Sequence, residues 1–188
     1  MAKKLSEMTL EELWHLFPIY LTEHNDKWDT WYNEEYQRLC AFLPNTKMRI
    51  NHIGSTAIKN IWAKPIIDIL AEIPLENDIN NVKDLIVLNG YICMAENAQG
   101  ISFNKGYTEN GFAEKVFHLH LRYWGNNDEL YFRDYMNSNP VIAKEYEKLK
   151  LSLWKPYKYN RDGYTNAKHE FISKYTQKAK DEYKGRYL

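Results

Sequence analysis

The stretch Ile66-Ile67-Asp68-Ile69-Leu70-Ala71-Glu72-Ile73 limits what this chain can fold into more than any other. Side chains alternate across a strand, so Ile67, Ile69, Ala71 and Ile73 share one face and Ile66, Asp68, Leu70 and Glu72 the other. A run apolar on both sides reads as a central strand, covered on both faces for part of its length and opened by Pro65. The rest of the chain must therefore cover two sheet faces. Asp68 must also find a partner, because a carboxylate stripped of water without one costs roughly several kcal/mol.

The flanking sequence offers that cover. Thr9 and Glu12 stand in capping-box spacing and predict a short helix over 9–16, limited by Pro18. From Asp26 to Phe42, Trp28, Trp31, Tyr32, Tyr36 and Leu39 recur at three- and four-residue steps and predict a longer helix, ended by Pro44 and Asn45. Residues 47–53 alternate, with Met48, Ile50 and His52 opposite Arg49, Asn51 and Ile53, and predict a strand. Gly54-Ser55 turns the chain, and 56–62 predicts one or two helical turns. A helix over 78–89 carries Ile79, Val82, Leu85 and Ile86 on its apolar side and stops at Asn89-Gly90.

Residues 91–97 and 101–107 read as short strands around a turn at Gly100, 108–115 as a loop, and 116–124 as a strand. The last third reads as helices over 129–136, 140–154 and from Tyr164 into a charged tail that frays, with Pro156 and residues 158–163 as the interruption. This order predicts an α/β (α+β) fold: a mixed sheet over 47–124, helices over 1–46 before it, and helices over 128–188 after it, in a single domain.

Composition narrows the function. The chain has 188 residues, with 25 Lys+Arg against 25 Asp+Glu and no basic stripe, so no nucleic-acid partner is expected. Cys40 and Cys93 stand in no metal-type spacing, which fits a reducing compartment. No apolar run suits a signal peptide or a membrane span, so a cytoplasmic protein with no membrane partner is expected.

The candidate chemistry lies on two strands and one turn. Val116, His118, His120 and Arg122 share one face of their strand, and Phe117, Leu119, Leu121 and Tyr123 the other. If this strand lies beside 66–73 with polar faces aligned, Asp68 meets two imidazoles spaced roughly 6–7 Å apart. The amides after Gly54, with the hydroxyls of Ser55 and Thr56, suit an anion, and Lys64 sits beside the strand of Asp68. A phosphate-gripping turn next to an acidic strand is what nucleotidyl transfer needs, with carboxylates holding Mg²⁺ or Mn²⁺. Asp68, His118 and His120 are the candidate catalytic and metal-holding residues, with His52 a further ligand. Imidazoles favour Zn²⁺ or another transition metal over Mg²⁺. The same groups equally suit a metal-free site that takes phosphate through protonated histidine, Lys64 and Arg122. Arg133 and Lys168 lie in helices that could fold back over it, and Asn104-Lys105-Gly106 could present a cation from a turn.

The blocks HIGSTAIKNIWAKPIIDIL, VFHLHLR, LYFRDYMNSNPVIAKEYEKLKLSL and YTNAKHEFI occur in this order and resemble the GrpB family over about Leu13–Tyr175. The resemblance implies the fold of the polymerase-β-like nucleotidyltransferase superfamily and a nucleotide or other phosphate-containing small molecule as ligand. Some relatives are fused to dephospho-coenzyme A kinase, which points toward nucleotide or coenzyme metabolism. Carried onto this chain, the Gly-Ser element falls on Gly54 and Ser55 and the first acid on Asp68, whereas the second acid falls on Leu70. Glu72 is about 13 Å from Asp68 along the strand, too far to share an ion. The third acid would stand near His118 or His120, where there is no carboxylate. The acidic triad is thus incomplete, and three readings follow: a nucleotidyltransferase-like enzyme, a module that binds a phosphate ligand without transfer, or a metal-dependent hydrolase built on Asp68 and the histidines.

Overall fold

The computed structural model describes residues 3–43 and 46–187, so the helix end expected at Pro44 and Asn45 lies outside the described residues. The sheet has strands β1 (Arg49–Ile53), β2 (Ile67–Ile73), β3 (Ile92–Asn97), β4 (Gly100–Thr108) and β5 (Gly111–Tyr123), in the order β1-β2-β5-β4-β3. β2 and β5 run parallel, and the other neighbours are antiparallel. β2 is the two-sided strand, with only Asp68 among its residues not fully buried.

Each sheet face has its own cover. Ile67, Ile69, Phe117, Leu119 and Phe103 pack against Trp28 and Leu39 of α2 (Lys27–Phe42) and Val82 and Ile86 of α3 (Ile79–Leu88). Beyond the opposite face, α4 (Asp128–Ser138), α5 (Pro140–Leu153) and α6 (Arg161–Glu182) share a second core through Tyr135, Tyr146 and Tyr175. α1 (Leu10–Leu16) begins with the expected capping box: Thr9 Oγ1 accepts from the Glu12 amide at 3.2 Å, and the Glu12 carboxylate accepts from the Thr9 amide at 2.6 Å.

Three local expectations change. The loop expected over 108–115 is a tight hairpin, because Phe112 packs on Phe17 and Tyr107 and makes pairing of Tyr107 with Phe112 worthwhile. The last helix starts three residues before Tyr164, since Asn160 Oδ1 accepts from the Gly163 amide at 2.8 Å and Gly163 leaves room for the Tyr157 ring. It also runs on to Glu182 rather than fraying early, because Tyr175 and Ala179 are buried. Residues 56–62 are not a helix. A single 3-10 turn, Ser55–Ala57, leads into a loop pinned from outside, so no α-helix starts at the Gly54 turn. Asn137 bonds both the Lys59 amide and the Ala57 carbonyl, and Glu147 accepts from the Trp62 amide at 2.7 Å.

Candidate functional site

The parallel pairing of β2 with β5 sets Asp68 opposite His118, Leu70 opposite His120 and Glu72 opposite Arg122. His118 Nδ1 lies 3.1 Å from Asp68 Oδ1, which answers the demand for a partner. The chain of contacts continues outward. The Arg161 guanidinium donates to Tyr107 Oη at 2.7 Å, and Tyr107 Oη stands 2.8 Å from His118 Nε2. With the tyrosine proton directed to Nε2, His118 is the Nδ1–H tautomer and donates to the carboxylate. Tyr107, Arg161, Tyr146, Tyr164 and Lys150 are site residues that sequence reasoning missed.

Gly54 explains why Asp68 is held so firmly. Its backbone has φ +71° and ψ −169°. A Cβ placed there would stand 2.3 Å from Asp68 Oδ2, so the missing side chain is what lets the turn close over the carboxylate.

These groups line one wall and the floor of a cleft of about 800 Å³. Gly54, Ser55, Lys64, Asp68, His118, His120 and Lys168 all border it, joined by Lys150 and Arg161. The sheet supplies the acid and the imidazoles, and α5 and α6 supply Lys150, Arg161 and Lys168. Lys168 Nζ sits 4.1 Å and Lys64 Nζ 5.8 Å from the centre of the Tyr164 ring, so both ammonium groups bear on one buried aromatic.

The electrostatics are lopsided. Burial, with Arg161 and Lys168 nearby, pulls Lys64 down to about 7, against the pull of Asp68. Burial and Lys168 pull Lys150 down to about 7, and burial pulls Lys168 down to about 8. Burial pushes the Asp68 carboxyl up, but the His118 hydrogen bond and the charges of His118, His120 and Lys64 outweigh it and leave it below the usual range. Burial lowers His120 to about 4, so this ring is neutral at pH 7; its Nδ1 is 3.4 Å from Ser102 Oγ. Burial raises Tyr146 to about 12, with the Ser55 hydroxyl pulling it partly back.

Four expected site residues lie elsewhere. Thr56 is buried and donates to the Ile66 carbonyl at 3.1 Å, so its oxygen accepts from His52 Nε2 at 3.0 Å. His52 pairs with Ile69 on the other sheet face and stacks on Tyr32, away from Asp68's partners; burial lowers it to about 4. Arg122 pairs with Glu129 at 2.9 Å and donates to Asn126. Arg133 donates to the His52 carbonyl at 2.8 Å and to Asp134. Lys105, expected on a turn, is in β4 and pairs at 2.6 Å with the buried Glu35.

The donor set does not fit a pair of metal ions. Leu70, where the resemblance would put the second acid, is fully buried against Ile53 and Leu130. Glu72 is buried and its carboxylate takes the Gly125 amide and the Asn127 side chain. Among the described residues no three His, Cys, Asp or Glu side chains are grouped to hold a metal ion.

Known proteins resemble this chain along most of its length. It is 34% identical over 189 residues to the UPF0157 protein YqkA of Bacillus subtilis, covering 97% of this chain and 54% of that relative's length. It is 33% identical to the glutamate-rich protein GrpB of Alkalihalophilus pseudofirmus, covering 82% of this chain and 91% of that one. The crystal structure of the conserved protein GrpB from Enterococcus faecalis superposes with a TM-score of 0.75 at 30% identity, over 87% of this chain and 99% of that one. The Cid1 poly(U) polymerase with MgGTP bound superposes with a TM-score of 0.50 at 11% identity, over 76% of this chain and 44% of that one, a likeness of fold alone. No helix among the described residues is long and apolar enough to cross a membrane. Residues 18–178 match the family model described as GrpB protein, and the chain belongs to the GrpB family.

Proposed function

We propose that the cleft binds a nucleotide or another small molecule carrying phosphate groups. The observation that carries this reading is the convergence of Lys64, Lys150, Lys168 and Arg161 on a cleft in which Asp68 is the carboxylate supplied by the sheet. Cations this close together, three of them half-buried and Lys150 fully buried, destabilise one another, and a bound phosphate chain relieves both the repulsion and the desolvation. Ser55 and the Gly54 turn border the same space, so a hydroxyl donor stands beside the cations.

Titration calorimetry with ATP and with inorganic tripolyphosphate tests this. The Lys64→Gln/Lys168→Gln double variant, checked for folding by circular dichroism, is expected to bind tripolyphosphate at least about tenfold more weakly, since each charge-assisted contact contributes about 1.5–3 kcal/mol. Unchanged affinity would remove the cleft as the phosphate site.

The pH dependence follows from the lysines. In the free protein they titrate at about 7 to 8, and a bound anion favours their charged form. Affinity is therefore greatest below about pH 7 and falls as pH rises through 7 to 9, by about tenfold for each proton taken up per pH unit. A flat profile from pH 6.5 to 9 would contradict the role given to these lysines.

Nucleotidyl transfer is the second reading. Asp68 stands at the superfamily's first-acid position with the neutral His120 ring also on the cleft, which is where a base would be needed. A radiolabelled-nucleotide product assay over a panel of alcohol and amine acceptors distinguishes transfer from binding.

A further inference from the structure

We infer that this cleft takes its phosphate-bearing ligand free of divalent metal, with the lysine–arginine wall supplying the charge neutralisation that carboxylate-held ions would otherwise give. The inference rests on the phosphate-binding reading above and names the form in which the ligand is recognised: the bare polyanion.

Asp68 has one oxygen engaged. Oδ1 receives the His118 Nδ1 proton at 3.1 Å, while Oδ2 packs against the side-chain-free Gly54 turn and has no hydrogen-bond partner among the described residues. His118 cannot easily turn away to free it. Its Nε2 is fixed 2.8 Å from Tyr107 Oη, which is itself fixed by Arg161 at 2.7 Å. In this tautomer His118 points a proton, not a lone pair, at the carboxylate, so the two cannot chelate one ion together.

Of the other acids bordering the cleft, Glu129 pairs with Arg122 through one oxygen and Asp128 with Lys180, at 2.9 and 2.5 Å, and Asp162 stands exposed at the start of α6. Leu70 fills the second-acid position from a closed apolar pocket, so no small rotation could substitute another acid there. In contrast, Lys64 and Lys168 border the cleft with no carboxylate bonded to either among the described residues, and Arg161 is bonded only to a neutral hydroxyl. The available charge in this cleft is positive, and it suits a ligand that brings its full negative charge. A Mg²⁺-complexed phosphate chain brings two charges fewer and gains less from it.

Calorimetry with tripolyphosphate, in chelator and then in millimolar Mg²⁺ or Mn²⁺, tests this on the full chain. The expected result is binding in chelator that weakens by about threefold to tenfold when metal is added. Binding that tightens with metal would overturn the inference and leave the phosphate-binding reading standing. No binding in either condition would overturn both.

A second variant asks whether His118 is what bars the metal. His118→Asp sets a second carboxylate at the register partner of Asp68. This variant is expected to reverse the sign, binding more tightly with Mn²⁺ than in chelator. A folded His118→Asp protein that still binds more weakly with Mn²⁺ would count against the inference. Should it fail to fold, His118→Ala frees Oδ1 without adding charge and is expected to abolish the weakening by metal; its persistence would count the same way.

Discussion

Gly54→Ala is expected to lower stability by about 2–4 kcal/mol, measured as a shift in the urea midpoint at unchanged m-value. Two penalties combine. The backbone at φ +71°, ψ −169° is in a region that essentially only glycine occupies. The new methyl would also stand 2.3 Å from Asp68 Oδ2, and the carboxylate cannot retreat without giving up His118. A double-mutant cycle separates them. Asp68→Ala in the Gly54→Ala background should recover the part of the clash made by the carboxylate and leave the backbone part, with the 2.9 Å approach to the Cβ that alanine keeps. Strict additivity of the two variants would show that the turn and the carboxylate are energetically independent, contrary to the packing described.

Leu70→Asp is expected to cost about 3–5 kcal/mol and to leave phosphate binding no more responsive to Mg²⁺ than before. It would place an unpaired charge among Ile53 and Leu130, where Leu70 is completely buried, and would also remove apolar contact. Leu70→Met, which keeps volume and polarity, should cost less than about 1.5 kcal/mol. The contrast with His118→Asp is the informative part. By the resemblance read from the sequence, position 70 is the expected place for a second acid. By packing, it is closed off by α4, and position 118 is open to the cleft. A folded Leu70→Asp protein that gained tight Mg²⁺-dependent binding would show that α4 can be displaced from this face.

The alternation of residues 66–73 and 116–124 was enough to foresee that Asp68 and His118 would meet, because a two-sided apolar strand must be central and the polar faces must be reconciled. Gly54, Ser55, Lys64 and His120 were legible for related reasons, as all lie on or next to those strands, whereas Lys168, far along the chain in α6, was named only as a cation on a helix that could fold back. The misassigned residues share a cause. Thr56, Arg122, Arg133 and His52 carry suitable chemistry, but each is bonded away from Asp68: Thr56 and His52 to each other, Arg122 to Asn126 and Glu129 just along the chain, and Arg133 to the distant carbonyl of residue 52. Tyr107 was hidden because residues 108–115 read as a loop. Only the pairing of Phe112 with Tyr107, rewarded by Phe17, carries that tyrosine to His118. Lys150 did leave a trace: with Ala143, Tyr146 and Glu147 it completes one helical stripe, and a lysine on a buried stripe needs an explanation.

That stripe has a mechanical outcome. Glu147 accepts from the amide of Trp62 while Lys150 donates to the carbonyl of the same residue, and Lys144 donates to the Asn60 carbonyl. One helix thus clasps the peptide segment that leads directly into Lys64 and the strand of Asp68. The two jaws are bolted together at their base, so the gap between them is fixed before anything enters it. For the phosphate ligand proposed above, selection would then fall to chain length measured against a rigid gauge.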